Sequence, residues 1–140
     1  ILPDQTIDDA PRLDILVHPG GLGTRALMHD DGHLTWLREL AADATLMTSV
    51  CTGSLVYAAA GLLRERPATT YWEAMDLLGQ TDPTIELRPA DRYVDDGDVI
   101  TSAGVSAGID MALHVVRRLA GDERAVQTRR GIQYDPEPPI

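Results

Sequence analysis

The sequence predicts an α/β layered domain with a mostly parallel sheet. Three observations carry that expectation. Short apolar or β-branched runs alternate with longer segments of helical periodicity along the chain. The first two runs end in small or turn-forming residues, Pro19-Gly20-Gly21 and Cys51-Thr52-Gly53. The length, 140 residues, suits one domain with a sizeable core.

The elements follow in order. Residues 13–18 read as a strand ended by Pro19-Gly20-Gly21. From Asp30 onward, Leu34, Leu37, Leu40 and Ala41 recur at helical spacing, with Asp31 placed as the cap. Residues 44–50 are apolar and β-branched and read as a buried strand. Leu55, Ala59, Leu62 and Leu63 then form one stripe of a helix. Only a sharp turn joins that strand to that helix, and Cys51 is the turn. Residues 66–70 make a short connection into an extended piece. Residues 71–78 read as a helix with Trp72, Met75 and Leu78 on one face. Residues 85–87 and 93–94 look like short strands, and Asp96-Gly97 turns the chain into Val99-Ile100-Thr101 as a hairpin. Ser102-Ala103-Gly104 leads into the longest helix, with Val105, Ile109, Ala112, Leu113, Val116 and Leu119 as its buried stripe. Gly121 ends that helix, and Asp122 caps a last one reaching about residue 132.

Composition excludes several functions. The formal net charge is -10, so direct binding to nucleic acid, itself densely negative, is not expected. Asp91, Asp95, Asp96 and Asp98 cluster and read as a solvated turn. A single cysteine rules out an internal disulfide and a multi-thiolate zinc site. His18, His29, His33 and His114 form no metal-ligand pattern, so neither a metal nor another cofactor is expected. The longest apolar run, residues 55–63, is too short to span a bilayer, and no signal-peptide pattern is read. A cytoplasmic protein with no membrane partner is the expectation.

Cys51 carries the chemistry. A thiol at a helix start faces unpaired N–H groups and the positive end of the helix dipole, both of which favour thiolate over thiol. The placement matches a nucleophile elbow, a side chain held on a tight turn above a parallel sheet. Ligands of open α/β sheets bind beyond the carboxyl ends of the strands. That rim gathers Pro19-Gly20-Gly21, Cys51-Thr52 and Ala103-Gly104-Val105. Gly20, Gly21, Thr52, Gly104 and Val105 are therefore the candidate binding residues around Cys51. His18 ends a strand at the same rim and is a possible ligand contact, although such a residue more often packs locally. Tyr57 and Trp72 are read as core packing and Asp110 as support for its helix dipole or a turn.

These residues, in this order, also carry a resemblance. The Pro19-Gly20-Gly21 turn, the Val50-Cys51-Thr52-Gly53 elbow, the Ala60-Gly61-Leu62-Leu63 helix end and Ala68-Thr69-Thr70 match in sequence. So do Thr101-Ser102-Ala103-Gly104 and Ala107-Gly108-Ile109-Asp110. Together they resemble the ThiJ/PfpI superfamily over nearly the whole chain. The ending Gln133-Tyr134-Asp135-Pro136-Glu137-Pro138-Pro139 looks most like its isocyanide hydratase branch.

The resemblance implies a flavodoxin-like, class I glutamine amidotransferase-like fold. It implies that Cys51 is the nucleophile and that the backbone N–H groups of Gly21 and Thr52 make an anion-binding pocket beside it. Two fixed donors there would stabilise negative charge without reorganising. Attack on the terminal carbon of an isocyanide, uptake of water and release of an N-formamide would follow. The strand, acidic loop, helix and strand that open the family have no counterpart before Ile1. Residues 1–140 are thus expected to be one domain, truncated at its N-terminus, without the acidic partner of the cysteine. Tyr71 stands where many members carry His, which disfavours the Cys-His branches. The resemblance also implies a homodimer acting on a small molecule. The same domain serves as the ligand sensor of AraC-type transcription regulators, a second expected class. A cysteine-dependent glyoxalase or stress-response protein is a third, which the tail and Tyr71 count against.

Overall fold

A computed structural model describes residues 2–43 and 45–135. Its centre is a four-stranded sheet in the order β1 (Ile15–His18), β2 (Leu46–Val50), β6 (Val99–Ser102), β5 (Tyr93–Asp95). β1 pairs with β2 in parallel, Ile15 opposite Leu46 and His18 opposite Ser49. β2 pairs with β6 in parallel, Val50 opposite Ser102. β5 joins β6 antiparallel through the expected Asp96-Gly97 turn. The sheet is therefore mostly parallel, in an α/β domain. A separate parallel pair links β3 (Pro67–Ala68) and β4 (Glu86–Leu87).

Alternation along the strands divides the interior into two layers of packing. Leu16, Met47 and Val99 point to one face and join the main core with Leu34 and Leu37 of α2 (Asp31–Ala42). Leu55, Val56 and Tyr57 of α3 (Gly53–Ala59) complete it, with Leu63 and Leu78 beneath. Thr48, Val50 and Ile100 point to the opposite face, where α5 (Ala107–Ala120) lies. There a Cβ built on Gly108 would stand 2.9 Å from a Val50 methyl carbon, so only glycine lets the helix approach this closely. Ile15 and Val17 share the second face at the β1 edge of the sheet and are exposed.

The remaining elements depart from the sequence expectations in specific ways. A short helix, α1 (Thr24–Leu27), follows the Pro-Gly-Gly turn. Its four residues carry no periodicity to read. The cap of α2 is Asp30, whose carboxylate accepts the His33 N–H at 3.0 Å, and not Asp31, which lies inside the first turn. The helix after Cys51 is regular only to Ala59 because Gly61 adopts φ 78°, so Leu62 and Leu63 lie beyond it. Residues 71–78 split into a 3-10 turn (Trp72–Ala74) and α4 (Met75–Thr81). Trp72 is 70% exposed, against the expected buried face; Ala74 and Leu78 are the buried positions.

The stripe of α5 is rotated from the expected one. Ala107 and Met111 are buried, whereas Ile109 and Leu119 are exposed and Val105 lies before the helix starts. Gly121, at φ 89°, both ends α5 and precedes α6 (Asp122–Gly131); no side-chain bond from Asp122 caps it. The acidic cluster is an ion-pair hub, not only a solvated turn. Asp95 meets His114 at 2.6 Å and Arg118 at 3.1 Å, and Arg66 spans Asp96 and Asp98. Residue 44, the expected start of the second strand, and residues 136–139 of the tail lie outside the described residues. No described helix is long and apolar enough to cross a membrane.

Candidate active site

The carboxyl ends of β1, β2 and β6 bring three loops together. Cys51 leaves β2 and adopts φ 57°, a left-handed conformation that costs a residue with a Cβ roughly 1–2 kcal/mol. The strain is held from both sides. Its N–H faces the carbonyls of Ser102 (3.1 Å) and Ala103 (3.2 Å) at the end of β6. Its carbonyl accepts the hydroxyls of Thr70 (3.0 Å) and Ser54 (3.2 Å). The residue itself is half-buried and carries a free thiol.

The first loop crosses directly over this turn. A Cβ on Gly20 would lie 2.8 Å from Cys51 Cβ and 2.9 Å from Thr52 N and Val50 O. A Cβ on Gly53 would lie 2.6 Å from the His18 carbonyl oxygen. Two glycines therefore let the Pro19-Gly20-Gly21 turn rest on the start of α3. Hydroxyls lock it there. The Gly21 N–H donates to Thr52 Oγ1 at 2.9 Å, and Thr24 Oγ1 donates to the Gly21 carbonyl at 2.8 Å. The Gly21 N–H, expected to line an anion pocket, is thus engaged by the Thr52 side chain.

The third loop supplies Gly104 and Val105. A Cβ on Gly104 would lie 2.6 Å from Tyr71 Cδ2, so the tyrosine ring covers its backbone. Val105 adopts φ 36° and is 82% exposed. A β-branched residue in that region is a genuine outlier, and such outliers cluster at functional sites. Cys51 and Val105 are two of the four non-glycine residues with positive φ among those described. The structure thus gathers Gly20, Gly21, Cys51 and Thr52 in direct contact, with Gly104 and Val105 following the Ala103 carbonyl that holds Cys51.

His18 is not part of the open rim. Its ring is buried, with Tyr57 at 5.6 Å and His33 at 5.3 Å between ring centres. Its Nε2 lies 3.0 Å from Nε2 of His33, and its Nδ1 lies 3.0 Å from the Pro19 carbonyl oxygen. Burial pushes both imidazoles below their ordinary value; the nearby Asp30 carboxylate partly offsets this for His33. Local packing, the commoner role for such a residue, is what the geometry displays.

Sequence reasoning did not find His33, Thr24 or Thr70. The last had a signal, since Thr69-Thr70 directly precede the helix read over residues 71–78. Thr24 lies in α1, whose four residues announce no pattern, and His33 meets His18 only through the way α2 crosses the end of β1. Among the described residues, no group of three or more His, Cys, Asp or Glu is placed to hold a metal ion.

Comparison with known proteins gives a consistent picture. A model of the DJ-1/PfpI family matches residues 1–118. The chain is 45% identical over 139 residues to an isonitrile hydratase of Pseudomonas putida, covering 99% of this chain and 59% of that protein. It is 39% identical over 92 residues to the transcriptional regulator CdhR of Pseudomonas aeruginosa, covering 66% of this chain and 27% of the regulator. A crystal structure of a ThiJ/PfpI protein from Pseudomonas syringae superposes with a TM-score of 0.89 at 37% identity, over 100% of this chain and 57% of that one. The chain therefore spans under two thirds of these relatives.

Proposed function

The chain belongs to the DJ-1/PfpI family, and from that premise we propose that it is an isocyanide hydratase-like lyase with Cys51 as nucleophile. The observation that carries this reading is the strained Cys51 turn, pressed under Gly20 and anchored to Ser102, Ala103 and Thr70. Strain retained at a half-buried thiol is a cost that packing alone does not require. The 45% identity to an isonitrile hydratase supports the substrate class.

The proposed chemistry balances. The Cys51 sulfur forms a bond to the terminal isocyanide carbon, which takes up a proton, leaving a thioimidate. Water adds to that carbon, the carbon–sulfur bond breaks, and the thiol and an N-formamide result. The Thr52 backbone N–H is the proposed fixed donor to developing negative charge, beside a Gly21 N–H that Thr52 Oγ1 already binds. Gly104, under the Tyr71 ring, and the exposed Val105 are proposed to complete the binding site. We further propose a homodimer in the cytoplasm, with no cofactor and no direct contact to nucleic acid.

The test is formamide production from a simple isocyanide by the intact protein and by Cys51→Ser. The expected result is turnover in the first and its loss, by 10³-fold or more, in the second, on the order expected for removing a nucleophile. Turnover unchanged by the substitution removes Cys51 from the mechanism. A second reading has its own support, the 39% identity to CdhR over 92 residues. A ligand-sensing domain would bind a small molecule at the same rim without consuming it, and would retain binding in Cys51→Ser.

A further inference from the structure

The His18–His33 contact has a chemical constraint that the rest of the site does not. Two imidazole nitrogens 3.0 Å apart, Nε2 to Nε2, need one proton between them. With no proton the two lone pairs repel, and with two protons the N–H groups collide. The direction of the bond is fixed by the neighbour. The Pro19 carbonyl, 3.0 Å from His18 Nδ1, can only accept, so Nδ1 carries a hydrogen. A neutral His18 then has its lone pair on Nε2, and His33 must present Nε2–H to it. The chain of donors runs from His33 through His18 to the Pro19 carbonyl.

That carbonyl belongs to the turn lying on Cys51. A Cβ on Gly20, the next residue, would lie 2.8 Å from Cys51 Cβ and 2.9 Å from Thr52 N. Thr52 and Thr24 hold the far side of the turn through Gly21, and the two histidines hold its near side. We propose that His33 and His18 are positioning residues, a single-proton relay in which His33 Nε2–H orients His18 so that its Nδ1–H holds the Pro19 carbonyl and sets the Pro19-Gly20-Gly21 turn against Cys51. The proposal rests on Cys51 being the reactive thiol, but it does not depend on which substrate the thiol attacks.

The surroundings favour the singly bridged, uncharged pair. Burial disfavours charge on either ring. Of the titratable groups facing the pair, Tyr57 on α3 is a buried phenol held neutral, its Oη bound to the Thr48 carbonyl. Asp30, at the start of α2, is the carboxylate that acts on His33 among the described residues, and it caps the helix through the His33 N–H. Trp36 covers His33 from its own helix, at 5.5 Å between ring centres, and brings no charge.

The experiment uses thiol alkylation, which reads the Cys51 environment without requiring turnover. Rates with iodoacetamide are followed in the intact protein from about pH 5 to 8, the range in which histidine changes charge. His33→Gln keeps an N–H donor near the Nε2 position but cannot take up a proton; His33→Leu removes the donor. At neutral pH, His33→Leu is expected to change the alkylation rate by 3-fold or more, and His33→Gln to restore most of the difference. Nitrogen-15 imidazole spectra should give the Nδ1–H form of His18 and the Nε2–H form of His33. A His33→Leu rate equal to the wild type's overturns the proposal, as does the reverse tautomer at His18. Failure of isocyanide turnover with these results intact would count against the proposed substrate and leave the relay standing.

Discussion

At Gly20 a single missing Cβ decides whether the site assembles. The position would put a methyl carbon within 2.9 Å of three atoms of the Cys51 turn, and two of them are backbone. Gly20→Ala is expected to destabilise the fold by about 1–3 kcal/mol, the usual cost of overpacking. A lowered urea midpoint with an altered alkylation rate at Cys51 is the expected observation; an unchanged midpoint would mean the two turns separate easily. Much of this site was legible in sequence because Gly, Cys and small polar residues at strand ends have few other uses. Cys51 stood out as the only residue able to join a β-branched run to a helix. The engagement of Gly21 by Thr52 was not legible, since which acceptor a backbone N–H finds depends on loop closure. His33 was hidden for the same reason. It lies 15 residues from His18 and reaches it only because α2 is aimed across the end of β1.

At the scale of elements, the α2 cap is the most informative difference. Both Asp30 and Asp31 have the right chemistry, and only the backbone tells them apart. Asp30 is extended, at φ -94° and ψ 98°, and reaches the His33 N–H. Asp30→Ala is expected to cost about 1 kcal/mol, lowering the thermal midpoint by about 3–5 °C. Asp31→Ala is expected to do less, as it contributes only to the helix dipole. Calorimetry on the two variants separates the positions. The mostly parallel sheet and the Asp96-Gly97 hairpin followed from the alternation of runs, whereas strand order had no local signal and helix faces were harder. The stripe of α5 is rotated because Gly108 must meet Val50, which brings Ala107 and Met111 inward and turns Leu119 out. Trp72 was read inward from its spacing to Leu78, but the 3-10 turn changes the angle per residue and exposes it.

For the whole molecule, the histidine pair makes stability depend on pH. Both rings titrate below their unfolded value of 6.5, so the unfolded chain binds more protons in that window. Stability is therefore full above 6.5 and declines as the pH falls below it. Thermal midpoints should fall on acidification from about pH 8 to 5, while most carboxylates are still ionised. The fall should be shallower in His33→Gln; a slope equal to the wild type's would assign it to other groups. A different consequence belongs to β1. It is one of the two edge strands of the described four-stranded sheet, one side of it is unpaired within these residues, and Ile15 and Val17 are exposed beside it. An unpaired parallel edge with exposed apolar residues can accept a further strand, and the net charge of -10 opposes the approach of further copies at low salt. Raising the salt concentration at constant pH shortens the screening length without touching the fold, and light scattering should then rise with time. Replacing Val17 by Lys should delay that rise.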